Sequence, residues 1–161
     1  MQKFLKEYMP YVVIFILVML VRTFIITPVK VNGTSMDDTL ASGDIMLLYK
    51  LASIEREDIV VLGPEVQGSN IIKRVIALPG ERVKCENGVI YINSKKYDDQ
   101  YASNITSDFE EIKLAKDEYF VLGDNRLISE DSRYFGPVSK EAIKGEASIV
   151  IYPIKKLGKV S

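Results

Sequence analysis

One long apolar stretch decides how the rest of this chain can be arranged. Residues 11–21 carry no charge, and after Arg22 and Thr23 the pattern resumes with Phe24, Ile25 and Ile26 before Pro28. Taken as helix, residues 10–28 rise about 28 Å, close to the hydrocarbon thickness of a bilayer. The stretch is apolar on all sides, which argues against a core helix needing one buried stripe. Residues 23–30 contain no small-residue processing site, which argues against a cleaved leader. The expectation is a short cytoplasmic N-terminus over residues 1–9, a transmembrane anchor over 10–28 and an extracytoplasmic domain over 29–161. Arg22 then sits near the far end, where it can snorkel to the interface. Lys3 and Lys6 favour a cytoplasmic N-terminus, while Arg22 and Lys30 on the other flank weaken that asymmetry.

Beyond the span the pattern changes to short β-prone runs punctuated by glycine and proline. Residues 45–49, 59–62, 71–78, 82–86, 89–93, 118–122 and 147–152 read as strands. Asn87-Gly88 between two of them is a hairpin signal, because both residues tolerate the positive φ of a type I′ turn. Residues 94–116 read as polar loops with one or two edge strands, and Ser139 as the cap of one helical turn near 139–144. With no long amphipathic helix, the fold class expected is all-β.

The chain has no histidine at all, which removes Ser-His-acid and Cys-His hydrolases and HExxH zinc sites together. Its one cysteine, Cys85, allows no intrachain disulfide, and a formal net charge of −1 gives no reason to expect nucleic acid as a partner. Any hydrolytic chemistry must rest on lysine, carboxylates or a carboxylate-bound metal. Lys73 stands out because it interrupts an apolar strand, Ile71-Ile72-Lys73-Arg74-Val75-Ile76-Ala77-Leu78. Alternation puts Ile71, Lys73, Val75 and Ala77 on one face and Ile72, Arg74, Ile76 and Leu78 on the other. Both faces are largely apolar, so a basic group must lie against hydrocarbon or at a cleft edge. A desolvated lysine loses affinity for its proton and becomes a usable base, whereas an arginine resists deprotonation. Ser35, in Asn32-Gly33-Thr34-Ser35-Met36, is the candidate hydroxyl, with Gly33 allowing a tight backbone approach. The plain structural alternative is a capping serine and a basic pair matched by carboxylates.

Taken together these segments resemble the bacterial type I signal peptidases, most closely the short Gram-positive form. The apolar anchor runs into Val31-Asn32-Gly33-Thr34-Ser35-Met36-Asp37-Asp38-Thr39-Leu40. Gly43-Asp44 follows, then Lys73-Arg74-Val75-Ile76-Ala77-Leu78-Pro79-Gly80. Gly123-Asp124-Asn125-Arg126 and Ser129-Glu130-Asp131-Ser132-Arg133-Tyr134-Phe135-Gly136 complete the series. The resemblance implies two antiparallel β-sheets on the outer face of the cell membrane, with Ser35 as nucleophile and Lys73 as general base. It implies that Ser129 orients the lysine, that Asp131, Arg133 and Asp124 support the site, and that Gly33 leaves the oxyanion to backbone N–H groups. It implies signal-peptide-bearing preproteins as substrates, cleaved after small residues in an Ala-x-Ala-like pattern. Proximity to the secretion machinery and to the lipid bilayer follows, with no cofactor or metal. Met36 is expected at the membrane interface or against substrate. Asp38 departs from the family's proline before Thr-Leu, and Leu127 from a commonly polar residue. Two rivals remain: a repressor-type Ser-Lys autopeptidase, and a membrane-anchored β-domain that binds a peptide or protein without catalysis.

Overall fold

The structure, a computed structural model, describes residues 2–160. Helix α1 (Gln2–Phe24) is longer at its start than the expected span and ends four residues earlier. Tyr11, Phe15, Leu17 and Phe24 are exposed, and the stretch from Glu7 to Phe24 is long and apolar enough to cross a membrane. Thr27 and Pro28, expected in the helix, belong instead to strand β1 (Ile26–Lys30). The cause is local. Lys50 Nζ donates to Thr23 O at 2.8 Å and Thr27 Oγ1 to Arg22 O at 2.8 Å, satisfying carbonyls that the last helical turn leaves open. Lys50 N–H also donates to Ile25 O at 2.9 Å, so the chain passes from helix into sheet with no flexible link.

The remaining elements are β2 (Ile45–Tyr49), β3 (Ile59–Leu62), α2 (Pro64–Gln67), β4 (Ile71–Ala77), β5 (Arg82–Glu86), β6 (Val89–Ile92), β7 (Lys95–Lys96), β8 (Phe109–Lys113), β9 (Glu118–Leu122), α3 (Ser132–Phe135), β10 (Val138–Ser139), β11 (Ile143–Tyr152) and β12 (Gly158–Lys159). They form two antiparallel sheets. The large one runs β1-β2-β11-β3-β4-β9-β10 with β12 on β11; the small one runs β7-β6-β5-β8. Strand β11 is longer than the sequence reading allowed. Residues 143–146 lie outside the expected strand over 147–152, the first two of them inside the expected helical turn, and a register shift between Ile143 and Gly145 accommodates them. The turn before it is a short 3-10 segment (Lys140–Ala142), and the Ser139 side chain does not cap it. The hairpin at Asn87-Gly88 has φ of 52° and 75°, as its sequence requires.

Strands β3 and β4 are central, so both of their faces are covered. Ile59 and Val61 pack with Val31, Met36, Leu40, Met46, Leu48, Ala147 and Val150. Val60 and Leu62, on the opposite face, join Val75, Tyr119, Val121 and Val138. A third cluster, with Ile76, Phe120 and Leu122, seals the large sheet against Val83, Ile90 and Ile92 of the small one. The alternation expected for β4 holds through Ile76. A register shift against β9 between Val75 and Ala77 then turns Ala77 onto the Ile76 side and Leu78 onto the Val75 side.

Candidate active site

Both basic residues of β4 are buried, on opposite faces, and their environments differ. Arg74 is 1 % exposed and lies between the clusters under the two sheets. Its Nε and Nη2 donate to the two carboxylate oxygens of Asp124 at 2.9 and 2.8 Å. Asp124 is itself fully buried, and a carboxylate so placed requires a partner of this kind. Lys73 is 3 % exposed and forms no ion pair among the described residues. Its Nζ donates to Ser129 Oγ at 2.9 Å. Burial is the main influence on its ammonium and pushes the pKa down to about 8; Asp131, Glu130 and Asp124 pull the other way, and Arg133 adds to the depression. At neutral pH a usable fraction of this amine is unprotonated, which an exposed lysine cannot offer.

The register places the other groups around it. Arg74 pairs with Leu122 across β4 and β9, so Lys73 sits beside Gly123, the first residue past the end of β9. There the chain leaves the sheet, and the loop returns Ser129 onto the lysine. A side chain at Gly123 would collide with Ser129 Oγ and stand 2.6 Å from Ser35 O. Glycine is required by this close approach, and the same contact brings the Ser35 turn to the lysine end of β4. Asn125 N–H donates to Ser35 O at 3.0 Å and ties the turn to the loop.

The turn has its own logic. Gly33 has φ of 92°, the left-handed region that favours glycine. Met36 O accepts from Thr39 N–H at 3.1 Å and Leu40 N–H at 2.8 Å, while Met36 and Leu40 drive their side chains into the core. Met36 was expected at the membrane or against substrate; at 2 % exposure it is a core anchor, and that expectation is corrected. One residue earlier, Ser35 stays half-buried. Its N–H donates to no group among the described residues, and its Oγ makes no hydrogen bond to Lys73 Nζ. Asp38 has φ of 82°, which proline cannot adopt, so this turn is shaped differently from one carrying proline there.

Asp131 receives Gly123 N–H on Oδ2 at 3.1 Å and pairs in a two-point fork with Arg133, at 2.8 and 2.9 Å. Arg133 Nη2 also donates to Arg126 O at 2.8 Å and Ser129 O at 3.4 Å, so the pair fixes the loop that carries Ser129. Lys73, Ser129, Asp131, Arg133 and the turn carrying Gly33 and Ser35 are therefore tied together around Gly123, whereas Asp124 lies on the other face of β4 with Arg74. Sequence reasoning missed two members. Arg74 is the partner of Asp124, and Thr39 Oγ1 donates to the same carboxylate at 2.6 Å. An arginine in an apolar strand was the available signal, because it demands a buried carboxylate.

Residues 4–152 match the family described as Signal peptidase, peptidase S26. Signal peptidase I of Streptococcus pneumoniae serotype 4 is 33 % identical over 98 % of this chain and 97 % of its own length. Signal peptidase I P of Bacillus subtilis subsp. natto is 37 % identical over 88 % of this chain and 85 % of its own. The crystal structure of a signal peptidase I from Enterococcus faecalis V583 has 31 % identity and a TM-score of 0.54, covering 60 % of this chain and 98 % of that one. Fold, site and similarity together define a peptidase on a two-sheet β scaffold behind an apolar helix. The chain belongs to the S26 signal peptidase family, in its type I branch, whose work is the removal of signal peptides from preproteins.

Proposed function

We propose that this peptidase works by a Ser-Lys dyad, Ser35 as nucleophile and Lys73 as general base, cleaving preproteins after small residues in an Ala-x-Ala-like pattern. One observation carries the reading. Lys73 is a buried amine with a depressed pKa and no carboxylate partner among the described residues, held by Ser129 Oγ beside the turn that carries Ser35. The Ser129 bond uses one direction of the amine and leaves its lone pair for the Ser35 proton. Ser35 Oγ attacks the scissile carbonyl carbon as its proton passes to Lys73 Nζ. The oxyanion is met by backbone N–H, with that of Ser35 free to donate. Collapse breaks the C–N bond, and the leaving amine takes the proton from Lys73. Water then attacks the Ser35 ester, giving its proton to Lys73, and Ser35 regains one on release. The Ser35 to Lys73 hydrogen bond forms when substrate excludes water, as such contacts commonly tighten only in the complex. Strand β1 ends the large sheet with an open edge and leads into Ser35, which suits an extended peptide pairing as an added strand.

For orientation, Lys3 and Lys6 support a cytoplasmic N-terminus and an outer catalytic domain taking in residues 29–161. The lipid contact assigned in sequence to Met36 belongs instead to the outer face of β1, β2 and β11. Pairing aligns Ile26, Pro28 and Ile149 with Tyr49 and Leu47 on the side opposite the core, next to the end of α1. Substrates emerging from the secretion machinery would reach the site along this face. The test is cleavage of a preprotein by the full chain in lipid vesicles. Ser35→Ala and Lys73→Met should each abolish it without loss of the folded circular dichroism spectrum. Retained cleavage by Ser35→Ala would end the assignment.

A further inference from the structure

Between β7 and β8 the chain runs over residues 97–108 without regular structure, yet it reaches every segment that carries the site. Ser103 does this most directly. Its Oγ donates to Asp37 O at 3.1 Å, two residues past Ser35, and its N–H donates to Asp124 O at 3.0 Å, next to Gly123. One residue thus ties the nucleophile turn to the loop beside Lys73. Asn104 Nδ2 adds a bond to Asn125 Oδ1 at 3.3 Å. On the other side Tyr101 lays its ring against Arg74, with the guanidinium carbon 3.7 Å from the ring centroid. Asp99 pairs with buried Arg126, whose Nε holds Gly123 O at 2.7 Å. A long polar loop held so often to buried groups has lost the freedom such loops normally keep, and that ordering must be offset by what it holds in place.

We propose that this segment is a strap that sets the position of Ser35 relative to Lys73, with Ser103 as its positioning residue. The proposal rests on the Ser-Lys reading above. Neither Ser103 Oγ nor its N–H meets the lysine, and each meets only main chain on the two sides to be aligned. Removing the hydroxyl should release the serine turn from one side and leave the amine's surroundings intact. A small displacement of a nucleophile from its attack geometry lowers turnover steeply.

The experiment compares Ser103→Ala, Ser103→Thr and Ser35→Ala in the full chain in lipid vesicles, on a purified preprotein from pH 6 to 9. For Ser103→Ala we expect kcat to fall about tenfold, with KM and pH–rate midpoint unchanged and the thermal midpoint lowered by only about 2–4 °C, and Ser103→Thr to restore most of the rate. An unchanged kcat in Ser103→Ala would overturn the role. So would a fall that comes with a thermal midpoint lowered by more than about 4 °C and a displaced pH midpoint that Ser103→Thr does not repair, since that is general loosening. The control separates the two readings. Cleavage by Ser35→Ala sinks the dyad and the strap with it, whereas an inert Ser35→Ala beside a fully active Ser103→Ala sinks the strap alone.

Discussion

Replacing Lys73 by methionine should make the protein inactive and more stable, and the gain should shrink as pH rises. The lysine is 3 % exposed, and burial moves its pKa from 10.5 to about 8. Below pH 8 the folded protein must hold a desolvated ammonium that the unfolded chain holds in water. The full shift therefore destabilises the fold there by about 3 kcal/mol, at about 1.4 kcal/mol per unit. Between pH 8 and 10.5 the unfolded chain binds more protons than the folded one, so stability rises with pH and the penalty falls to about 2 kcal/mol at pH 9. Methionine has similar length and no charge, but loses the bond to Ser129 Oγ, which offsets about 1 kcal/mol of the gain. The expected net stabilisation is about 2 kcal/mol at pH 6.5 and about 1 kcal/mol at pH 9. Urea unfolding of the full chain in detergent micelles, followed by far-ultraviolet circular dichroism at both pH values, measures it if the denaturant slope is unchanged. Other titrating groups are shared by the two proteins and cancel in the difference. A Lys73→Met protein no more stable than the parent at pH 6.5, or a gain independent of pH, would refute the claim that burial governs this amine.

The same shift sets the rate. With chemistry limiting, turnover should climb about tenfold per pH unit below pH 8 and level above it, and a flat profile from pH 6 to 9 would remove Lys73 as the base. Gly123→Ala should abolish cleavage, because its methyl group meets Ser35 O and Ser129 Oγ together; an active alanine variant would show that the approach is not needed. Arg74→Met should destabilise the fold by about 3–5 kcal/mol by leaving Asp124 buried and unpaired, measured by the same urea unfolding, and should do far less in a protein already carrying Asp124→Asn. Burial pushes the Cys85 thiol up to about 11, so it should resist iodoacetamide at pH 8 in the folded protein and react readily in urea.

Much of the fold was legible in local sequence. The strands announced themselves through β-branched runs stopped by glycine and proline, and Asn87-Gly88 named its own turn. What escaped were places where tertiary contacts override local preference. Thr27 and Pro28 left the helix because β2 offers partners to the chain at that point. Residues 143–146, the first two expected in a helical turn, extend β11 because a bulge accommodates them. The strap over 97–108 was invisible as anything but polar loop, since its bonds go to residues distant in sequence.

By itself the sequence determined that this chain carries an apolar segment of membrane length ahead of a β domain. It also determined that, lacking histidine, the chain can offer only lysine or carboxylate as a base. Those conclusions follow from residue identity and short-range spacing. Only the tertiary structure decided which of Lys73 and Arg74 is neutralised by a carboxylate and which is held by a hydroxyl, and that Met36 faces the core. Alternation along a strand assigns two faces without saying what covers them. That depends on Gly123 ending β9 where it does, so that one loop delivers a carboxylate to Arg74 and only a hydroxyl to Lys73.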